Sequence, residues 1–139
     1  VNIVVSANNN EEVLIFPVIP SDIEVQNPQN NEEFQTINNG TLNLIGDIGL
    51  RTLSITSIFP THPYKWLKAG SSSDGWAYVE FFKKWRSAKV PIRIVMSKKD
   101  ESEWLNMPCT IESFSYGLMR NGDIRYSLDL KEYRFVKVV

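Results

Sequence analysis

One histidine, His62, one cysteine, Cys109, and 16 carboxylates are the side chains from which this 139-residue chain would have to build metal or acid–base chemistry. A metal site needs several ligands at short spacing, and His62 has neither a second histidine nor a cysteine pair to join it. Set between Pro60 and Pro63 and beside Tyr64, it reads as a packed or surface residue of a connector. Cys109 follows Met107-Pro108 with no basic cluster nearby, so it reads as a buried structural thiol rather than a nucleophile. The carboxylate pairs Glu11-Glu12 and Glu32-Glu33 are adjacent in extended segments; their side chains point apart and form no acid–base couple. Residues 46–49 (GDIG) and 122–124 (GDI) read as hairpin turns, not phosphate cradles. The tryptophans Trp66, Trp76, Trp85 and Trp104 leave one chemical option, a sugar-binding platform, although Trp85 reads as core. The expectation is a protein without catalytic residues, cofactor or metal.

Composition narrows the class further. Hydrophobic residues make up 42% and charged residues 22%, a globular balance with enough apolar surface for one core. The formal net charge is −1 and the basic residues are dispersed, which argues against a nucleic-acid ligand. No apolar run reaches the ~18 residues of a membrane span, and the first residues lack the pattern of a secretory leader. A single cysteine forms no internal disulfide, so the expected place of synthesis and folding is the cytoplasm.

The strongest local signal lies between Cys109 and Val138. Two β-rich runs flank Asn121-Gly122, a dipeptide suited to a tight hairpin turn. On the return run Ile124, Tyr126, Leu128 and Leu130 share one face, with Arg125, Ser127 and Asp129 on the other, so one face is buried and one wet. The alternation slips at Glu132, which predicts a β-bulge or strand end near Lys131-Glu132. Residues 75–88 carry a helical pattern with Asp74 as N-cap. Ala77, Tyr78, Phe81, Phe82, Trp85 and Ala88 fall in one arc, opposite Glu80, Lys83, Lys84 and Ser87, and Pro91 prevents continuation.

Other β-prone runs are 1–6, 11–19, 22–26, 41–45, 50–59 and 91–97, with Pro17 placing the second at a sheet edge. The runs at 41–45 and 50–59 read as a strand–turn–strand about 46–49. The polar segment 27–39 reads as a loop or irregular strand projecting from the core, and 104–108 as a connector. Strands on both sides of one amphipathic helix predict a single mainly β, α+β domain over 1–139. Its expected form is an antiparallel β-sandwich or barrel-like sheet with the helix on one face.

Five segments, taken in order, carry a resemblance: FPVIP (16–20), NNEEF (30–34), LNLIGDIGLRTLSITSIFP (42–60), KVPIRIVMS (89–97) and IESFSYGLMRNGDIRYSLDLKEYRF (111–135). Together they resemble the N-terminal domain of LysM-containing tail proteins of contractile phages, PBSX-type particles and R-type bacteriocins. The resemblance implies the tail-tube fold and a structural place at the baseplate end of a tail. The implied partners are further copies of the chain in a ring, expected to be hexameric, the tail tube protein, the baseplate hub protein, and the tape measure or other baseplate proteins. The implied location is a virion or tailocin particle assembled in the bacterial cytoplasm. These 139 residues hold no LysM module, so peptidoglycan binding is not among the implications.

As ring contacts, the expectation singles out Asn30, Asn31, Glu32 and Glu33 in the projecting segment, and Lys131, Glu132 and Arg134 at the phase slip. Trp76 reads either as a loop-packing residue or as an interface anchor. The wet faces of 51–57 and 124–130 are candidates to line an aqueous channel. The alternative function is a carbohydrate- or cell-wall-binding module presenting Trp76 or Trp104.

Overall fold

The computed structural model describes residues 2–135; Val1, at the head of the first expected strand, and residues 136–139, at the end of the last run, lie outside the described residues. Along the chain come β1 (Asn2–Ala7), β2 (Glu12–Ile15), β3 (Val25–Gln26), β4 (Glu32–Thr36), β5 (Gly40–Leu44), β6 (Thr52–Phe59), α1 (Gly75–Ala88), β7 (Ile92–Ser97), β8 (Glu103–Leu118) and β9 (Ile124–Glu132). Seven strands make one antiparallel sheet in the order β2-β1-β7-β8-β9-β6-β3, and β4 and β5 form a separate two-stranded ribbon.

The sheet is organised on β8. Its first half, to Cys109, pairs with β7, and its second half, from Cys109, pairs with β9. The expected connector at 104–108 is therefore strand, with Leu105, Met107 and Cys109 buried and Trp104 and Asn106 outward. Pro108 concealed this, because proline breaks a central ladder. It is tolerated because a strand residue turns its nitrogen and carbonyl to the same side. The Pro108 carbonyl accepts from Tyr133 N–H at 2.9 Å, just past the end of β9, so the missing N–H falls at the end of that pairing and leaves the β7–β8 ladder intact.

The phase slip at Glu132 is resolved by a strand end: β9 stops there, with its N–H donated to the Arg51 carbonyl at 2.8 Å. The bulge itself lies on the partner strand, where the register shifts between Ile111 and Ser113. The hairpin turn is also wider than a two-residue turn. Gly122 is the one residue of the turn at positive φ (92°), and Met119 N–H reaches the Asp123 carbonyl at 2.7 Å around the loop 120–122.

Helix α1 has the expected span, and the Asp74 side chain accepts from Trp76 N–H as its cap. Tyr78, Val79, Phe81, Phe82 and Trp85 are buried. Ala77 and Ala88 lie at the margins of that arc and are half-buried and exposed, respectively. In the core, the Phe16 ring meets Phe59, Tyr78, Phe82 and Tyr126 edge-on at 5.8–6.2 Å, while Phe59 stacks on Tyr126 at 3.9 Å. Both halves of the sheet and the helix contribute to this one buried cluster. As expected, β2 is an edge strand, and 22–26 contributes only the short edge strand β3.

Candidate assembly surfaces

Of the two readings of segment 27–39, the projecting strand holds: most of it forms the root and first strand of the β4–β5 arm. Strand 41–45 pairs back onto it rather than onto β6. Residues 46–49 are accordingly not a hairpin turn but one side of the arm's root. There Gly49 N–H donates to the Pro28 carbonyl and Asn30 N–H to the Asp47 carbonyl, both at 2.8 Å. The Gln29 side chain reaches the Gly46 carbonyl, and Gly46 N–H donates to Asn31 Oδ1, each at 2.9 Å. A Cβ at Gly46 would lie 1.7 Å from the Asn30 carbonyl oxygen, so this close crossing requires glycine.

Cross-strand pairing gives the arm two unlike faces. Phe34 lies opposite Leu42 and Glu32 opposite Leu44, which places Phe34, Leu42 and Leu44 together. The other face carries Glu33, Gln35, Thr41 and Asn43. The apolar face is uncovered: Phe34 is 56%, Leu44 48% and Leu42 40% exposed, with Ile37 at the tip fully exposed. Sequence reasoning missed these residues, although Asn38-Asn39-Gly40 is a turn signal midway between Phe34 and Leu44.

The structure gathers seven of the eight expected contact residues near this arm or its root. Asn30 and Asn31 form the root, Glu32 and Glu33 begin β4, and the end of β9 abuts it. Arg134 donates to the carbonyls of Ile48 and Gly49 at 3.5 and 3.3 Å. Glu132 accepts from the Arg51 guanidinium at 3.0 Å and from Arg51 N–H at 3.1 Å. The guanidinium beside it holds the Glu132 carboxyl below its usual range, outweighing partial burial. Glu132 and Arg134 thus tie the arm's root to the sheet from within the chain, while Lys131 is exposed.

Trp76, the eighth, stands apart on the first turn of α1, edge-on to Tyr116 at 6.3 Å. Phe82, Phe114, Tyr116 and Trp76 make an aromatic row from core to surface, with Lys83 over the Tyr116 ring. Trp85 is buried as expected and donates from Nε1 to Glu12 at 3.0 Å.

The outward face of β6, β9 and β8 is lined with hydroxyls. Ser54 and Ser113 both donate to Asp129 at 2.6 Å, one from each neighbouring strand, and hold its carboxyl below the usual range. Thr56 and Ser127 form the next rung, at 3.4 Å. At the hairpin end, Asp123 is buried to 1% and gathers Thr61 N–H at 2.9 Å, Tyr64 O–H at 2.8 Å, His62 Nδ1 at 3.1 Å and Asn121 Nδ2 at 3.2 Å. The expected connector residue His62 is therefore half-exposed and bound to a carboxylate, and no cluster of metal-binding geometry occurs among the described residues. Cys109 is fully buried, and that burial pushes its thiol up to about 12, as a structural role requires.

No family model matches the chain. The uncharacterized protein YqbP of Bacillus subtilis (strain 168) is 29% identical over 128 residues, which cover 89% of this chain but only 56% of that relative's length. A chain of the virion of a native gene transfer agent particle shares the fold with a TM-score of 0.60 at 11% identity, covering 96% of this chain and 92% of that one. A chain from the tail of an empty gene transfer agent particle with C6 symmetry gives 0.57 at 12% identity, covering 99% and 95%. The mainly β, antiparallel, single-helix architecture is thus one found in tail-particle chains.

Proposed function

We propose that this chain is a structural subunit of a contractile phage-type tail or tailocin baseplate, assembled as a sixfold ring that joins the tail tube to the central hub. The fold likeness to chains of tail particles and the ordered sequence resemblance support this reading. The observation that carries it is the arm. A two-stranded ribbon is marginal by itself, and this one holds an apolar face of Phe34, Leu42 and Leu44 in the open on a root fixed by backbone hydrogen bonds. Such a face is completed by a neighbouring copy or by the adjoining tube or hub protein. Its partners are then further copies, the tube protein, the hub protein and, at the lumen, the tape measure. The hydroxyl-lined face of β6–β9–β8 suits a water-filled channel.

Negative-stain microscopy of particles from a producing strain lacking the coding region tests the role. Tubes without baseplates, or no tubes and sheaths at all, are expected; intact contractile particles would overturn it. Leu42→Asp tests the arm. With Leu42 already 40% exposed, monomer stability changes by about 0.5 kcal/mol or less, while incorporation into particles is lost. Normal incorporation would remove the arm from the interface. Trp66 stacked on Tyr64 at 4.8 Å is the geometry that favours the wall-binding alternative, and glycan binding abolished by Trp66→Ala would support it.

A further inference from the structure

The chain contains two Asn-Gly steps, Asn39-Gly40 and Asn121-Gly122, and the fold holds them unequally. Asn-Gly is the dipeptide most open to attack of the following backbone nitrogen on the asparagine side-chain carbonyl carbon, because glycine has no Cβ to screen its amide. At Asn121 that attack is blocked. Oδ1 accepts from Asp123 N–H at 3.0 Å, Nδ2 donates to Asp123 Oδ2 at 3.2 Å, and the nucleophile, Gly122 N–H, is itself donated to the Met119 carbonyl at 3.0 Å. All three bonds must break before Cγ can turn to the nitrogen.

Asn39 sits at the exposed tip of the arm. Its backbone N–H is held by Thr36 Oγ1 at 2.9 Å, and Gly40 is tied only through the last pair of the ribbon, with Thr36, while the Asn39 side-chain amide has no hydrogen-bond partner among the described residues. A Cβ built on Gly40 would meet nothing within 4 Å, so the flank from which the ring closes is open.

We infer that Asn39 is a site of spontaneous deamidation in the folded protein and that Asn121 is protected. The deprotonated Gly40 nitrogen forms a bond to Cγ of Asn39, the bond from Cγ to the side-chain nitrogen breaks, and ammonia leaves with the proton returned from solvent. Water then opens the cyclic imide at either carbonyl, giving aspartate or isoaspartate; no oxidant or reductant takes part. The product adds a negative charge to a segment, 27–48, that contains no lysine or arginine. Isoaspartate also lengthens the backbone beside the Thr36–Gly40 pair that closes the ribbon. If the arm is the assembly element proposed above, aged copies lose the ability to join a ring, but the chemistry does not depend on that reading.

The test is peptide mapping by mass spectrometry, with isoaspartate detection, of the purified protein held in warm, mildly alkaline buffer, folded and in urea. Three hydrogen bonds to open at Asn121, against the single ribbon-end pair at Asn39, predict conversion at Asn39 roughly thirtyfold faster in the folded protein. In urea the two rates should come within a few-fold of each other. Equal rates in the folded protein, faster conversion at Asn121, or a folded protein inert at both sites would each overturn the inference. Because the readout is the mass of the monomer's peptides, it stands or falls separately from ring assembly.

Discussion

Replacing Asp123 by asparagine removes a charge at almost constant shape from the most heavily bonded side chain among the described residues. Oδ1 receives Thr61 N–H and His62 Nδ1, and Oδ2 receives Tyr64 O–H and Asn121 Nδ2. Whichever oxygen becomes the amide nitrogen, one obligate donor, Thr61 N–H or Asn121 Nδ2, is left facing a donor, and the remaining bonds lose the charge of their acceptor. Hydrogen bonds to a charged group are worth about 1.5–3 kcal/mol each. Tyr64 and His62 can turn toward water, so the lower half of that range applies and Asp123→Asn should cost about 3 kcal/mol. With a urea dependence of about 2 kcal/mol per molar, the unfolding midpoint read by tryptophan fluorescence falls by about 1.5 M.

The same side chain carries a pH signature. Burial pushes its carboxyl up, but the donors, led by Thr61 N–H, more than compensate and hold it below the ordinary value. A carboxylate depressed in the folded state stabilises fully above its unfolded pKa of about 4, and that stability is lost as pH falls through the folded value. The native protein should therefore lose stability below about pH 4 more steeply than Asp123→Asn. Asp129 and Glu132, which are depressed as well, keep some slope in the variant. A change in stability under about 1 kcal/mol, or identical acid slopes, would refute the account of this knot.

Three further outcomes follow from particular contacts. The Tyr126 hydroxyl is buried without a partner among the described residues, so Tyr126→Phe should leave stability unchanged or raise it by up to about 1 kcal/mol in urea unfolding. Cys109 should resist thiol reagents in the native protein and react once urea unfolds it, so that labelling kinetics report global opening. Glu132→Lys breaks the Arg51 pair and opposes two guanidinium groups, and should lower stability by about 2 kcal/mol. A variant as stable as the native chain would return Glu132 to the set of free contact residues.

Strand β9 and α1 were legible because each buries one face continuously, which writes a period of two or of 3.6 into the sequence. Where the period is interrupted for a reason that lies elsewhere in the fold, it misleads. Pro108 hid the first half of β8 because the end of β9 beside it cannot be seen locally. The first half of the arm stayed open between loop and projecting strand because its polar face and exposed hydrophobics gave no buried side to detect, and residues 46–49 looked like a turn because glycine marks close backbone crossings as well as reversals. The grouping of the charged residues near the root could be picked out from charge and position. Whether Glu132 and Arg134 were free or already bound depended on Arg51 and on the Ile48 and Gly49 carbonyls, more than 80 residues away in sequence.

The late position of β8 also sets the order in which the chain can acquire structure on the ribosome. The β1–β2 hairpin, the arm and α1 use contacts close in sequence and can form as they emerge. The β6 strand, however, waits for β9, about 70 residues later, and the two halves of the sheet have nothing joining them until β8 appears. Until then the inward face of β6, with Leu53, Ile55 and Phe59, has no strand beside it but the two-residue β3. Completion of the sheet is thus a late event dominated by long-range closure, the regime of slow folding and of exposure to aggregation. Nascent chains halted before Cys109 should be held by chaperones, whereas those released after Glu132 should not.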